Sequence, residues 1–192
     1  MEERELISSN QMREEAKLEA IKQNGYAIRY IDNPSEEIQL KVVRQNGYTI
    51  SCIKNPSEQV QLEAIRQNGL AIEFIDNPTE QVQLEAVRQD GYVIRYIKNP
   101  SEQVQLESIR QDGCAIEYIN NPSSYIKSII DVLDTSNRRI YVLHEPNNEP
   151  LFTVGCQCNI TKNDFIWRIY NLDGGLEKNP YRQEYLDIIN RY

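Results

Sequence analysis

The chain has 192 residues, enough for one or two domains with a real core, and carries a formal net charge of -8. This acidic balance disfavours binding to nucleic acid and to anionic membranes, because both depend on clustered Lys and Arg. No apolar run reaches the roughly 18 residues of a membrane span, and the charged start, Met1–Glu5, does not resemble a secretory signal. We therefore expect a cytoplasmic protein that does not bind membranes.

A sequence motif that begins with Asn-Pro-Ser-Glu and ends with Gln-Asn-Gly or Gln-Asp-Gly recurs every 22 residues. A fixed period of this size is typical of solenoids, in which each unit buries its apolar face against its neighbours. The pattern predicts a mainly α protein, an α-solenoid of short helical hairpins. The prolines and glycines that mark the period are Pro34, Pro56, Pro78, Pro100 and Pro122, and Gly25, Gly47, Gly69, Gly91 and Gly113.

One repeat is predicted to form two short helices. Asn55 suits the N-cap of the first helix, Pro56 its first turn, and Glu58 the position from which a carboxylate reaches back to the cap. This helix of about 12 residues should end at Gly69, in the left-handed conformation that glycine adopts readily. The apolar run Leu70–Ile75 then predicts a second helix, which the next Asn-Pro ends.

The two ends of the array depart from this pattern. The first copy lacks Asn-Pro but keeps the later positions of the repeat, and Glu2–Ile7 is predicted to cover its end. At the other end, Asn121-Pro122-Ser123-Ser124 predicts a sixth helix that continues through Leu133. No glycine follows at the expected step, so the repeats should end there.

The run from Gly25 to Pro122 resembles the short helical-hairpin repeats, of uncharacterised function, that occur in many bacterial and viral proteins. The residues that carry the resemblance are the Gln-Asn/Asp-Gly turns and the Asn-Pro-Ser/Thr-Glu starts, over a little more than half of the chain. The resemblance implies the repeat fold. It implies a binding scaffold only by analogy with other solenoids.

One column of the aligned repeats is uniformly basic. Each cation has a glutamate three residues earlier in most copies, a spacing that allows an ion pair on a helix, although Lys41 replaces that glutamate once. Intramolecular pairing is the preferred interpretation, and a ridge that binds an anionic ligand is the alternative. The column consists of Lys22, Arg44, Arg66, Arg88 and Arg110.

Two other columns vary in charge while their surroundings stay nearly constant. Residues that change sign on a uniform frame must tolerate water, so both columns should be exposed. We predict that the first column, on the second helix, contacts a partner protein: Arg29, Ser51, Glu73, Arg95 and Glu117. The second column is Asp32, Lys54, Asp76, Lys98 and Asn120.

Tyrosines occupy positions of the second helix that hold apolar residues in other copies. This exchange predicts that they belong to the core, with their hydroxyls at its rim. Cys52 and Cys114, which share these positions, are predicted to be core residues too. The tyrosines concerned are Tyr26, Tyr30, Tyr48, Tyr92, Tyr96 and Tyr118.

The last part of the chain has no repeat. Arg139–Leu143 and Leu151–Cys156 predict two strands around a turn at Pro146–Pro150, and two amphipathic helices should follow. We therefore predict a helical-repeat domain over residues 1–134 and a small α+β domain, of ββαα type, over residues 135–192.

Chemistry-bearing residues are sparse. Cys156, Cys158 and the single histidine, His144, could together hold zinc across the predicted hairpin, but a fourth ligand is missing. No nucleophile–base pair, phosphate loop or metal-spaced carboxylate cluster is evident. We therefore expect no cofactor, no metal and no catalysis.

The sequence thus predicts a noncatalytic protein-interaction scaffold or inhibitor that uses an exposed solenoid surface. The near identity of the repeats suits a recently duplicated accessory gene, and an anti-defence protein of a virus is the specific version of this hypothesis. The alternative is a protein that binds a ligand or nucleic acid, or mimics DNA, and carries its site in the C-terminal domain.

Overall fold

The computed structural model describes residues 15–135, 139–154, 157–171 and 182–192, with the backbone alone at 157–159, 167–171 and 182. Contacts divide the chain into two compact units, Met1–Ala86 and Val87–Tyr192. Each unit is described by itself below. The predicted covering segment Glu2–Ile7 lies outside the described residues.

The predicted fold class is confirmed: five helix pairs of regular period precede a small α+β segment. The first member of each pair is an α-helix, and the second is a six-residue 3₁₀ helix. The α-helices are α1 (residues 15–23), α2 (Glu36–Gln45), α3 (Glu58–Gln67), α4 (Glu80–Gln89) and α5 (Glu102–Gln111). The 3₁₀ helices are η1 (Gly25–Tyr30), η2 (Gly47–Cys52), η3 (Gly69–Phe74), η4 (Gly91–Tyr96) and η5 (Gly113–Tyr118).

Helices α2 to α5 begin two residues later than predicted, and a serine or threonine hydroxyl caps each of them. The Ser57 hydroxyl accepts a hydrogen bond from the Val60 amide at 3.4 Å, so Ser57 is the N-cap of α3. Asn55, the predicted cap, instead has a φ of 50°, the left-handed region that asparagine tolerates. Its role is to turn the chain between the preceding 3₁₀ helix and the next α-helix. The serine hydroxyl is then left to satisfy the first free amides.

The glycines that follow α2 and α4 allow close packing of the backbone. Asn68, in extended backbone, ends α3, so the predicted left-handed Gly69 is wrong. A Cβ atom on Gly47 would lie 2.5 Å from the carbonyl oxygen of Ala64, and one on Gly91 would lie 2.5 Å from that of Ser108. Glycine is required at these positions because the backbone of the following repeat approaches too closely for any side chain.

An asparagine or aspartate starts each 3₁₀ helix. The Asn68 side chain accepts a hydrogen bond from the Leu70 amide at 3.0 Å, and the Asn68 backbone carbonyl accepts one from the Ala71 amide at 2.9 Å. The second of these is the short bond that defines a 3₁₀ helix. Because 3₁₀ side chains repeat every three residues, Gly69, Ile72 and Ile75 share the buried face.

Within each unit, the repeats share an apolar core and a polar brace. In α3 the buried face consists of Val60, Ala64 and Ile65, much as the sequence predicts. A glutamine in each of α2 to α5 also donates from its side-chain amide to a proline carbonyl five residues earlier, at 2.9 to 3.0 Å. This brace was not predicted, although the identity of the glutamine in four copies was a signal: Gln39, Gln61, Gln83 and Gln105.

The sixth α-helix is shorter than predicted. Helix α6 spans Ser124–Ile129, and the next residues, Ile130–Asp134, form strand β1. The carbonyl of Ile129 accepts a hydrogen bond from the amide of His144 at 2.8 Å, which diverts it from a helical partner. The helical spacing of Ile126, Ile129, Ile130 and Leu133 was thus outweighed by pairing with a distant strand.

Four antiparallel strands, in the order β1-β2-β3-β4, replace the predicted two-stranded hairpin. The other strands are β2 (Arg139–Leu143), β3 (Leu151–Val154) and β4 (Gln157–Thr161), and two helices follow, α7 (Lys162–Asn171) and α8 (Arg182–Arg191). Strand β1 pairs with β2 from Ile130 opposite Leu143 to Asp134 opposite Arg139. Strand β1 therefore lies within residues 1–134, the range predicted for the repeat domain.

The sheet and its helices enclose a separate apolar core. Ile140, Phe152, Phe165, Tyr185 and Ile189 are all buried there. The Phe152 and Phe165 rings lie 5.2 Å apart, and those of Phe165 and Tyr185 lie 5.9 Å apart. This core packs one face of the sheet against the two C-terminal helices.

Candidate functional site on the 3₁₀ helices

The five residues predicted to contact a partner occupy one slot, the fifth residue of each 3₁₀ helix. All five side chains are exposed, as the sequence predicts: Arg29, Ser51, Glu73, Arg95 and Glu117. The five residues of the second variable column are exposed as well: Asp32, Lys54, Asp76, Lys98 and Asn120. We call the two columns together the variable face. Contact with a partner through it stays a prediction.

In the first unit, the side chains of the variable face make few hydrogen bonds to other residues. Arg29 donates to the Cys52 sulfur at 3.1 Å, which raises the pKa of the guanidinium, and Ser51 donates to the carbonyl of Tyr48 at 2.8 Å. Within the described residues, Glu73 has no hydrogen-bond or ion-pair partner. Arg29 and Glu73 therefore present full charges to solvent.

In the second unit, part of the same face is engaged by the sheet. Glu117 accepts hydrogen bonds from the Tyr141 hydroxyl and, at 2.5 Å, from Arg139. These two donors, Tyr141 first, hold the pKa of Glu117 below its ordinary value. Arg95 lies over the ring of Tyr96, with its guanidinium carbon 4.8 Å from the ring centre. Of the two residues, Glu117 is the less available for a partner.

Two cavities of the first unit lie one repeat apart along the variable face. The first groove, of about 310 Å³, and the second groove, of about 620 Å³, use equivalent positions of successive repeats. The first is lined by Arg29, Asp32, Asn33, Pro34, Cys52 and Lys54. The second is lined, at the same positions, by Ser51, Lys54, Asn55, Pro56, Phe74 and Asp76. The variable residues thus form the walls of a groove that the fold repeats.

The aromatic residues beside this face are more exposed than predicted. Tyr26, Tyr48 and Tyr92 are half-buried at the rim, as expected, but Tyr30 is 75% exposed, and Phe74 and Tyr118, at the equivalent position, are 44% and 40% exposed. The prediction of a core position was therefore wrong for Tyr30 and Tyr118, whereas Tyr96, in the same slot, is half-buried.

These exposed rings nevertheless have defined neighbours. The Phe74 ring meets that of Tyr48 edge to face at 5.9 Å, and the Tyr118 ring meets that of Tyr92 at 5.7 Å. Cys52 and Cys114, also predicted to be core residues, are half-buried. The 3₁₀ face therefore offers ordered aromatic edges next to variable charges.

The basic column on the α-helices is neutralised within the chain, so the intramolecular interpretation is confirmed. Three of its ion pairs join the side chain to the glutamate three residues earlier, at 2.9 to 4.0 Å. Three more join it to a glutamate of the following repeat, at 3.0 to 3.7 Å. Arg44, which lacks the local glutamate, pairs with Glu63 in this way at 3.0 Å.

Two of the three residues in the zinc hypothesis have no described side chain. Cys156 is not described, nor is the side chain of Cys158. The His144 ring stacks on Tyr192 at 5.8 Å, and its Nε2 atom lies 3.4 Å from an Asp131 carboxylate oxygen. In the part of the chain that the structure describes, no three His, Cys, Asp or Glu side chains are grouped as metal ligands.

No protein-family model, no curated protein and no solved structure matches this chain. Among the described helices, none combines the length and the apolar character that a bilayer crossing requires. The contacts of the variable face thus supply the basis for the functional proposal.

Proposed function

We propose that the chain is a noncatalytic protein-interaction scaffold or inhibitor that contacts its partner through the variable face of its 3₁₀ helices. One observation carries the proposal: the residues that vary in charge between otherwise similar repeats are exposed, and in the first unit all of them except Glu73 line the two grooves. Exposed, variable side chains on a constant frame are the means by which repeat proteins acquire specificity.

The charge distribution favours this face over the α-helical one. Arg44 and Arg66 already have carboxylate partners, whereas Arg29, Lys54, Glu73 and Asp76 have no ion-pair partner among the described residues. Unpaired charges provide electrostatic complementarity at an interface without first breaking an internal pair. An inhibitor of a host defence protein, encoded by a virus and acting in the cytoplasm, is the specific version of this proposal.

Charge reversal at Arg29, Glu73 and Arg95 together tests the proposal. The triple variant R29E/E73R/R95E should lose a partner that the wild-type chain captures from host lysate, without a change in melting temperature, since all three side chains are exposed. Lys41→Glu is the control, because it produces the same change in net charge on an α-helix. Capture of the same partner by the triple variant and the wild type would refute the assignment of the surface.

A further inference from the structure

The unpaired charges of the first unit are unevenly distributed along the variable face. The first groove is lined by Arg29, Asp32 and Lys54, so its charged residues are net positive. Lys54 also lines the second groove, together with Phe74 and Asp76, and Glu73 belongs to the same repeat as Asp76. Counted by repeat, the variable residues change from net positive at Ser51 and Lys54 to net negative at Glu73 and Asp76, within a chain whose overall charge is -8.

Each end of this charge gradient has a suitable neighbour for a charged ligand group. At the basic end, the Arg29 guanidinium has, among the described residues, only the weak acceptor Cys52 as a hydrogen-bond partner, so it keeps donors for a carboxylate. At the acidic end, the 44% exposed ring of Phe74 lies between Glu73 and Asp76 in sequence. Exposed carboxylates and an exposed aromatic ring can each attract a cation, the former by charge and the latter by cation–π contact.

We propose that the first unit binds an extended polypeptide segment that places an acidic side chain in the first groove and a basic side chain beside Glu73, Phe74 and Asp76. This inference rests on the proposed function, and it adds the chemical class of the ligand and the direction of its charges. An extended segment fits because its side chains occur at regular intervals, as do the grooves. Nucleic acid fits poorly, because the carboxylates would repel its phosphates.

Selection from a displayed library of random linear peptides on the intact wild-type chain provides the probe. Enriched peptides should carry an acidic and a basic residue at a constant separation and in a constant order. Synthetic copies of these peptides should bind the R29E/K54E variant and the E73K/D76K variant about tenfold more weakly, measured by fluorescence anisotropy. Binding should also weaken with added salt, because the contacts are between exposed charges.

Reversal of the ligand charges separates recognition from damage to the fold. A peptide in which the acidic residue is changed to lysine should regain affinity for R29E/K54E, which a misfolded variant could not provide. The matched control is the double variant R44E/E63R, which reverses an ion pair of the α-helical face and should bind the original peptides as the wild type does.

Two results would overturn the inference: no enrichment of any peptide, or enriched peptides whose affinity is the same for the wild type and both charge-reversed variants. If the lysate partner is nevertheless lost on R29E/E73R/R95E, the proposed interaction face stands and only the extended, charge-ordered ligand is refuted. If that partner is retained while the peptides behave as expected, the broader proposal fails and the peptide site of the first unit stands.

Discussion

The two units build the same repeat and treat its variable face differently. In the first unit, Glu73 has no charged partner among the described residues, whereas the equivalent Glu117 of the second unit is held by Arg139 and Tyr141 of strand β2. The basic column shows a similar contrast. Arg44 pairs with a neighbouring repeat, and Arg110 also pairs with Glu145, beyond the repeats, at 2.5 Å.

This difference shows that a repeat position does not have a fixed role. Equivalent glutamates on equivalent 3₁₀ helices are available in one unit and occupied in the other, because β2 brings an arginine and a tyrosine to only one of them. Availability for a partner is thus decided by the elements that pack beside the repeat. Three substitutions, each made in both units, test how far the similarity extends.

The largest expected effect comes from the glycines at the repeat junctions, which should behave alike in both units. Gly47→Ala and Gly91→Ala should each lower the free energy of unfolding by about 3 kcal/mol, because the new methyl group would meet a backbone carbonyl that cannot move aside. Urea unfolding of the three proteins measures this.

Gly25→Ala is the control for that pair. Its new methyl group would approach the Thr49 Cγ2 atom at 3.1 Å, and a side chain can shift more readily than a backbone. The loss should therefore be smaller. Equal losses at Gly25, Gly47 and Gly91 would contradict the close approach of the backbone as the reason for glycine.

A smaller effect is expected at the serine caps, again in both units. Ser57→Ala and Ser101→Ala should each cost about 1 kcal/mol of unfolding free energy, because a helix amide loses its acceptor. Ser57→Thr should be nearly neutral, since Thr79 caps α4 through the same bond, at 3.4 Å. Thermal unfolding compares these variants. If Ser57→Ala left the melting temperature unchanged, Asn55 rather than Ser57 would be the stabilising cap.

The smallest effect should distinguish the two units, and it depends on pH. The folded-state pKa of Glu117 is lowered, so its bonds stabilise the fold above the unfolded-state pKa, and this contribution is lost as pH falls through the folded-state value. Glu117→Gln should therefore remove about 0.5 kcal/mol of the stability that the wild type loses as the pH falls below the unfolded-state pKa, a modest amount because the side chain is 41% exposed.

Glu73→Gln is the matched control, since it removes the equivalent carboxylate at a position that has no such bonds within the described residues. Its urea midpoints from neutral to acidic pH should follow those of the wild type. If the Glu117 and Glu73 variants gave the same pH profile, the engagement of Glu117 by β2 would not contribute to stability.

The sequence was sufficient to predict the helical pairs, because apolar residues and turn formers recur at identical positions in every copy. It also identified the variable columns and their exposure, as with Arg29 and Glu73. It did not predict the grooves between these columns, since Arg29 and Lys54 belong to different repeats and only packing brings them to one cavity.

Predictions from local residue spacing were wrong where competing hydrogen bonds were available. Asn55 and Ser57 can both cap a helix, and the choice fell to Ser57 once Asn55 took the left-handed turn. Ile130 to Leu133 suits a helix by spacing, but pairing with β2 made it a strand. In both cases the deciding partner lies outside the local pattern.

By itself, then, the sequence determined the 22-residue period, the apolar face of each α-helix and the columns in which charge varies, because these properties depend on residue type and spacing alone. Only the tertiary structure decided that Gly47 is required by a neighbouring carbonyl, that Tyr30 and Phe74 are exposed, and that Glu117 is occupied while Glu73 is free of charged partners in the described chain. The physical reason is that each of these outcomes depends on atoms that are distant in sequence and become neighbours only when the chain folds.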